Sequence, residues 1–153
     1  MAIEAPLSKY KKNNFKIAIA ICIGLAIWFA YDGYFNKNFI EKHKDADGNP
    51  DSTLLFNQKS PPFFIGAAVL FGVYLLAMGN KKVIADENEL IIGGKERLSY
   101  DSIQKIDKTH FGSKGYFIIT YKNKNGGEVN RKLSDRMYDN LAAVLDELVA
   151  KIT

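Results

Sequence analysis

The chain has 153 residues, 47% of them hydrophobic, and 21 Lys and Arg against 17 Asp and Glu give a formal net charge of +4. Residues 1–16 hold four lysines and one glutamate, whereas residues 81–153 hold thirteen basic and eleven acidic side chains, so no dominant positive field favours nucleic acid as a partner. A single cysteine, Cys22, excludes an intramolecular disulfide or a thiolate-metal framework.

Two uncharged apolar stretches, Ile17 to Tyr31 and Pro61 to Gly79, dominate the first half. A bilayer core supplies no water, so a crossing segment must satisfy its own backbone and present roughly 20 mostly apolar residues. The order is therefore a basic N-terminal segment (residues 1–16), a first transmembrane helix (17–35), a loop (36–60), a second transmembrane helix (61–80) and a folded domain (81–153). Trp28, Phe29, Tyr31, Tyr34 and Phe35 crowd the far end of the first helix, as interfacial aromatics do, with Asp32 at headgroup level. A cleaved signal peptide fits poorly, because bulky aromatics stand where small residues are needed.

Lys9, Lys11, Lys12 and Lys16 precede the first helix, Lys81 and Lys82 follow the second, and the loop between is charge-balanced. The positive-inside rule then puts both termini in the cytoplasm, with Lys12, Lys16, Lys81 and Lys82 as candidate contacts for lipid headgroups. Pro61 and Pro62 suit a first helical turn, where a missing N–H is no loss. Small residues at four-residue spacing, Ala20 with Gly24 and Ala68 with Gly72, are expected to let the helices approach closely.

In the loop, Asp45 to Asp51 places acidic or amide oxygens at alternate positions, as a calcium loop begins. Pro50 stands where that loop needs glycine and Phe56 where it needs glutamate, so a solvated turn is the better reading. Phe56, Phe63 and Phe64 form an aromatic cluster beside the membrane, suited to the interface or to a protein partner.

The pattern then changes to short strands separated by turns: Val83 to Ala85, Leu90 to Ile92 before Gly93-Gly94, and Arg97 to Tyr100 before Asp101-Ser102. Ile103 to Phe111 reads as an irregular strand. Gly115 to Lys122 is stronger, with Phe117, Ile119 and Tyr121 on one face, and Asn125-Gly126-Gly127 turns it into a hairpin with Glu128 to Leu133. Ser134 or Asp135 can cap a last amphipathic helix with Met137, Leu141, Val144, Leu145, Leu148 and Ile152 on its apolar face. The expected fold is a membrane α-helical hairpin plus an α+β domain of five to six antiparallel strands closed by that helix.

Residues 85–92, ADENELII, the segment LSYDSIQKI at 98–106 and the terminal helix together resemble the bacterial pleckstrin-homology-like domains that follow transmembrane hairpins. The resemblance covers the C-terminal half and implies a small, partly open barrel used for binding or assembly, with no family-wide catalytic residue.

Chemistry is sparse. His110 has Asp101 and Asp107 nearby in sequence but no second imidazole or thiol, and Gly93-Gly94-Lys95 lacks the spacing and following helix of a phosphate loop. His43 is a lone imidazole among flexible acids. Lys95, Arg97, Lys105, Lys108, Lys114, Lys122 and Lys124 are interleaved with Glu96, Asp101 and Asp107, which dilutes a lipid-facing field. The expectation is a non-enzymatic, membrane-anchored module without cofactor or metal, recognising a protein or a lipid headgroup. The alternative is an accessory subunit of a larger membrane complex, working through its hairpin and loop.

Overall fold

In the computed structural model, which describes all 153 residues, the chain divides into two units, Met1–Lys12 with Ala77–Thr153 and Asn13–Leu76. The first is an α+β domain. Strands β1 (Ile3–Pro6), β2 (Lys82–Ala85), β3 (Glu89–Ile92) and β4 (Glu96–Ser99) form an antiparallel sheet in that order. A 3₁₀ turn (Tyr100–Ser102) leads to a second antiparallel sheet of β5 (Ile103–Asp107), β6 (Tyr116–Lys122) and β7 (Glu128–Ser134). The two sheets are not joined into a closed barrel.

β1 corrects the reading of residues 1–16 as a basic segment alone. Ile3 pairs with Ala85 and Pro6 with Lys82, so the first residues of the chain complete a sheet whose other strands come after residue 81. Proline is tolerated there because β1 is an edge strand. Ala5 is fully buried beside Val83, Ala85 and Leu90, so the strand contributes to the core as well as to the hydrogen-bond ladder.

One core serves both sheets and the last helix. Phe117, Ile119, Tyr121 and Leu133 meet Val83, Leu90, Ile92 and Leu98 there. Helix α6 (Leu141–Ile152) packs on β1 and β2 through Leu141, Val144, Leu145 and Leu148, all buried at three- and four-residue spacing. Burying each such side chain contributes about 1.5 to 3 kcal/mol relative to leaving it in water. The helix starts later than expected. Met137 lies in the preceding turn, because Asn140 adopts a left-handed φ of 60° that breaks the helical path. Ile103 to Phe111 also divides: the strand ends at Asp107, and a short helix, here α5 (Phe111–Lys114), follows. The Asn125-Gly126-Gly127 hairpin forms with Gly126 at φ +81°, and the Asn123 side chain accepts the N–H groups of Asn125 and Gly127.

The second unit is helical. Helix α1 (Lys9–Ala30) continues through a π-helical turn (Tyr31–Phe35). Two short helices, α2 (Lys37–Lys42) and α3 (Ser52–Lys59), occupy the expected loop, and α4 (Pro61–Met78) returns. Lys9–Phe35 and Ser52–Met78 are each 27 residues long, about 40 Å if fully helical, and are long and apolar enough to cross a membrane. Only 6% and 17% of their apolar windows are buried, unlike the core helix of a soluble domain.

The small-residue spacing does not build the expected close contact, since a Cβ at Gly24 or Gly72 would meet nothing within 4 Å. Aromatics bridge α1 and α4 instead. Phe15 lies 5.0 Å from Tyr74 and 6.2 Å from Phe71 between ring centres, and Phe29 lies 5.5 Å from Phe64.

Candidate recognition surfaces

The start of α1 is held by the domain. Ser8 is fully buried, and its hydroxyl donates to the Arg136 carbonyl at 2.6 Å while accepting the Lys11 N–H at 3.1 Å, which caps the helix. The Asp139 carboxylate accepts the Lys9 N–H at 3.0 Å. Next to it, the Asp139 N–H donates to the Pro6 carbonyl and the Asn140 side chain to the Glu4 carbonyl. The segment between β7 and α6 therefore fixes β1 and the first turn of α1 together. At the other end of the long insertion, the Leu7 N–H donates to the Lys81 carbonyl.

The residues singled out from sequence fall into different settings. Phe56 and Phe64 converge on Phe29, at 5.4 and 5.5 Å between ring centres, while Phe63 stands apart and 79% exposed. Lys82 is spoken for by Glu4, whose carboxylate lies 2.6 Å from its ammonium. Lys16 and Lys81 are exposed and Lys12 is half-buried.

The loop acids are used locally. One oxygen of Asp45 accepts the N–H groups of Asp47 and Asn49, closing a turn. Asp51 caps α3 through the Leu54 N–H and contacts His43 Nδ1 at 2.8 Å. Those bonds hold its carboxyl below the usual range, the Leu54 N–H most of all. His110 packs at a tilt against Tyr116, 5.4 Å between ring centres, while the Asp107 carboxylate turns to Thr109, whose hydrogen bonds lower its pKa. No group of three His, Cys, Asp or Glu side chains converges to hold a metal.

Between the two sheets, Glu96 of β4 accepts the Tyr121 hydroxyl at 2.5 Å and pairs with Arg131 of β7 at 2.9 Å. That hydrogen bond chiefly, with burial, raises the Tyr121 pKa. The Tyr100 hydroxyl donates to the Asp86 carbonyl, and burial beside Glu147, Asp86 and Glu89 pushes its pKa up to about 12.

β5 is the outer strand of its sheet, so one of its backbone edges has no strand partner. Beside it runs a groove lined by Gln104, Lys105, Ile106 and Lys108 and, on the C-terminal turns of α6, by Val149 and Ile152. This apolar floor between two lysines escaped sequence reasoning. The signal was Val149, next to the buried Leu148, which widens the apolar stripe of α6 towards β5.

No protein-family model matches the chain, and no curated protein or solved structure matches it either.

Proposed function

We propose that this protein is a membrane-anchored recognition module: the hairpin of α1 and α4 crosses the bilayer, both chain ends are cytoplasmic, and a pleckstrin-homology-like domain binds a protein partner at the membrane surface. One observation carries the reading. β1 precedes the first apolar helix and β2 follows the second, yet the two strands pair, so the domain is tied to both ends of the hairpin at once. The pleckstrin-homology-like assignment is supported by two antiparallel sheets, of four and three strands, sharing one core with a C-terminal helix.

The groove between β5 and α6 suits an extended acidic segment with apolar side chains. Its backbone would add to the free edge of β5, its apolar side chains would fill the floor at Ile106, Val149 and Ile152, and its acids would meet Lys105 and Lys108. The chemistry is recognition without bond making, and no catalytic residue is assigned.

The second reading, an accessory subunit of a membrane complex, is favoured by the exposure of Phe63 on a helix already lined with outward apolar residues. Photo-cross-linking in native membranes separates the two. A cross-linking residue replacing Ile152 captures a partner if the domain is the working surface. Capture only from position 63, with the position 152 sample empty, rejects the domain reading in favour of the subunit reading.

A further inference from the structure

Lys114 at the end of α5, Lys132 on β7 and Arg136 after it line one pocket with the hydroxyl-bearing Ser113 and Ser134 and the ring of Tyr116. None of the three cations is within ion-pair distance of a carboxylate; the seven ion pairs of the protein all lie elsewhere. Lys132 is instead seated on the face of Tyr116, 3.8 Å from the ring centre, which fixes its ammonium at the pocket while leaving N–H groups free to donate. The nearest acid in sequence, Asp135, lies against Gly115, where a Cβ would come 2.1 Å from its carboxylate, and it forms no ion pair with any of the three cations.

The pocket also has a defined position. Arg136, which lines it, is the residue whose carbonyl takes the buried Ser8 hydroxyl, and Lys9 begins α1 at the next residue. The three cations therefore sit beside the turn from which the first apolar helix departs. Ile17, where the apolar run begins, is eight residues beyond Lys9, at most about 12 Å of helix, so the chain keeps the pocket within reach of phosphate groups if that helix enters a bilayer.

We infer that this pocket binds a phosphate monoester, and that its source is the headgroup of an anionic lipid. A dianionic phosphate presents oxygens to three cationic side chains and accepts from the Ser113 and Ser134 hydroxyls. A choline headgroup would instead carry its own cation into a positive pocket. The inference rests on the proposed bilayer crossing for the source of the ligand, and on the pocket alone for its chemistry.

The test uses the full-length protein in neutral detergent. It is titrated with short-chain phosphatidic acid, with phosphatidylcholine of the same chains and with inorganic phosphate, and bound species are counted by native mass spectrometry. Phosphatidic acid is expected to bind at least about tenfold more tightly than phosphatidylcholine, and Lys132→Gln with Arg136→Gln to erase the difference. Lys122→Gln with Lys124→Gln, at the turn end of the β6–β7 hairpin and outside the pocket, keeps it. Lys114→Gln, on an exposed helix end, weakens it partially and guards against misfolding of the double variant.

Inorganic phosphate that binds as tightly as phosphatidic acid and displaces it supports the site but overturns the lipid source. Equal retention of the two lipids, or a preference that survives the Lys132 and Arg136 changes, overturns the site. A protein that resists carbonate extraction from membranes but shows no lipid preference loses this inference alone. One that is extracted loses the anchor.

Discussion

The Asp139 carboxylate accepts the backbone N–H of Lys9, so a residue at the threshold of the last helix caps the first one across 130 positions of sequence. Ser8 supplies the second half of the same cap and is anchored to the Arg136 carbonyl. Helix starts leave N–H groups unpaired, and replacing a capping side chain by alanine costs about 1 kcal/mol. Ser8→Ala, which also removes the donor to the Arg136 carbonyl, is expected to cost about 1 to 2 kcal/mol. Hydrogen exchange at Leu7 and Lys11 reads the loss: both amides exchange faster in Ser8→Ala and Asp139→Ala, while amides of the β6–β7 hairpin are unchanged.

The pairing of β1 with β2 predicts how the domain can be excised. A fragment of residues 81–153 lacks Ala5 and leaves the edge of β2 open, so it is expected to aggregate or to melt well below the intact domain. Joining Leu7 to Lys81 through Asn-Gly makes an ordinary two-residue β-hairpin, because the Leu7 N–H already meets the Lys81 carbonyl. That short chain is expected to be monomeric with a single cooperative melt. Equal stability of the two fragments, measured by circular dichroism, would remove β1 from the fold.

Three tyrosines make the domain sensitive to alkali. Tyr100, Tyr121 and Tyr138 are all raised above the ordinary phenol value, Tyr100 to about 12. The main cause is burial at Tyr100 and Tyr138 and the Glu96 hydrogen bond at Tyr121. A folded-state pKa above the unfolded one gives stability that is fully present below 10 and lost as pH rises through the folded value. Denaturant melts are therefore flat from pH 7 to 9 and fall between 10 and 12. Tyr121→Phe removes its share of that slope while leaving Glu96 paired with Arg131.

Asp51 works in the opposite direction. Its folded pKa lies below the ordinary 3.8, so the stability it lends to α3 is present above that value and lost as pH falls through the lower folded value. Asp51→Asn, which retains a capping oxygen without the charge, is expected to flatten the acid response of the Leu54 amide followed by NMR. An unchanged acid response in Asp51→Asn assigns it to another group.

Much of the domain is written locally in the sequence. β2, β3, β4, β6 and β7 follow from alternation and glycine turns, and the buried face of β6, Phe117, Ile119 and Tyr121, lies where the alternation predicts. β1 is not legible, because four residues containing a proline carry no period and their partners lie beyond the whole hairpin. The start of α6 is misread for a different reason. Met137 keeps the helical spacing, but the left-handed Asn140 is a tertiary outcome, fixed by a bond to the Glu4 carbonyl. The short helices α2 and α3 had readable signals, the caps Asn36 and Asp51, hidden by the polar character of the loop. The aromatic cluster was visible as Phe56 and Phe64, but the Phe29 that gathers them lies on another helix. The cations of the Tyr116 pocket come from two segments, Lys114 from α5 and Lys132 with Arg136 from β7 and the turn after it, and only the fold brings the two together.

The pairing of β1 with β2 also sets a timetable. β1 is made first and must wait for residues 7–81 before its partner exists, about 4 to 15 s at ordinary rates of synthesis. During that interval both apolar helices have to find their places. In a membrane, a chain whose second helix failed to cross back would leave β1 and β2 on opposite sides, and the sheet would lack its first strand. On the proposed two-span topology, the complete sheet would therefore form only around a correctly threaded hairpin.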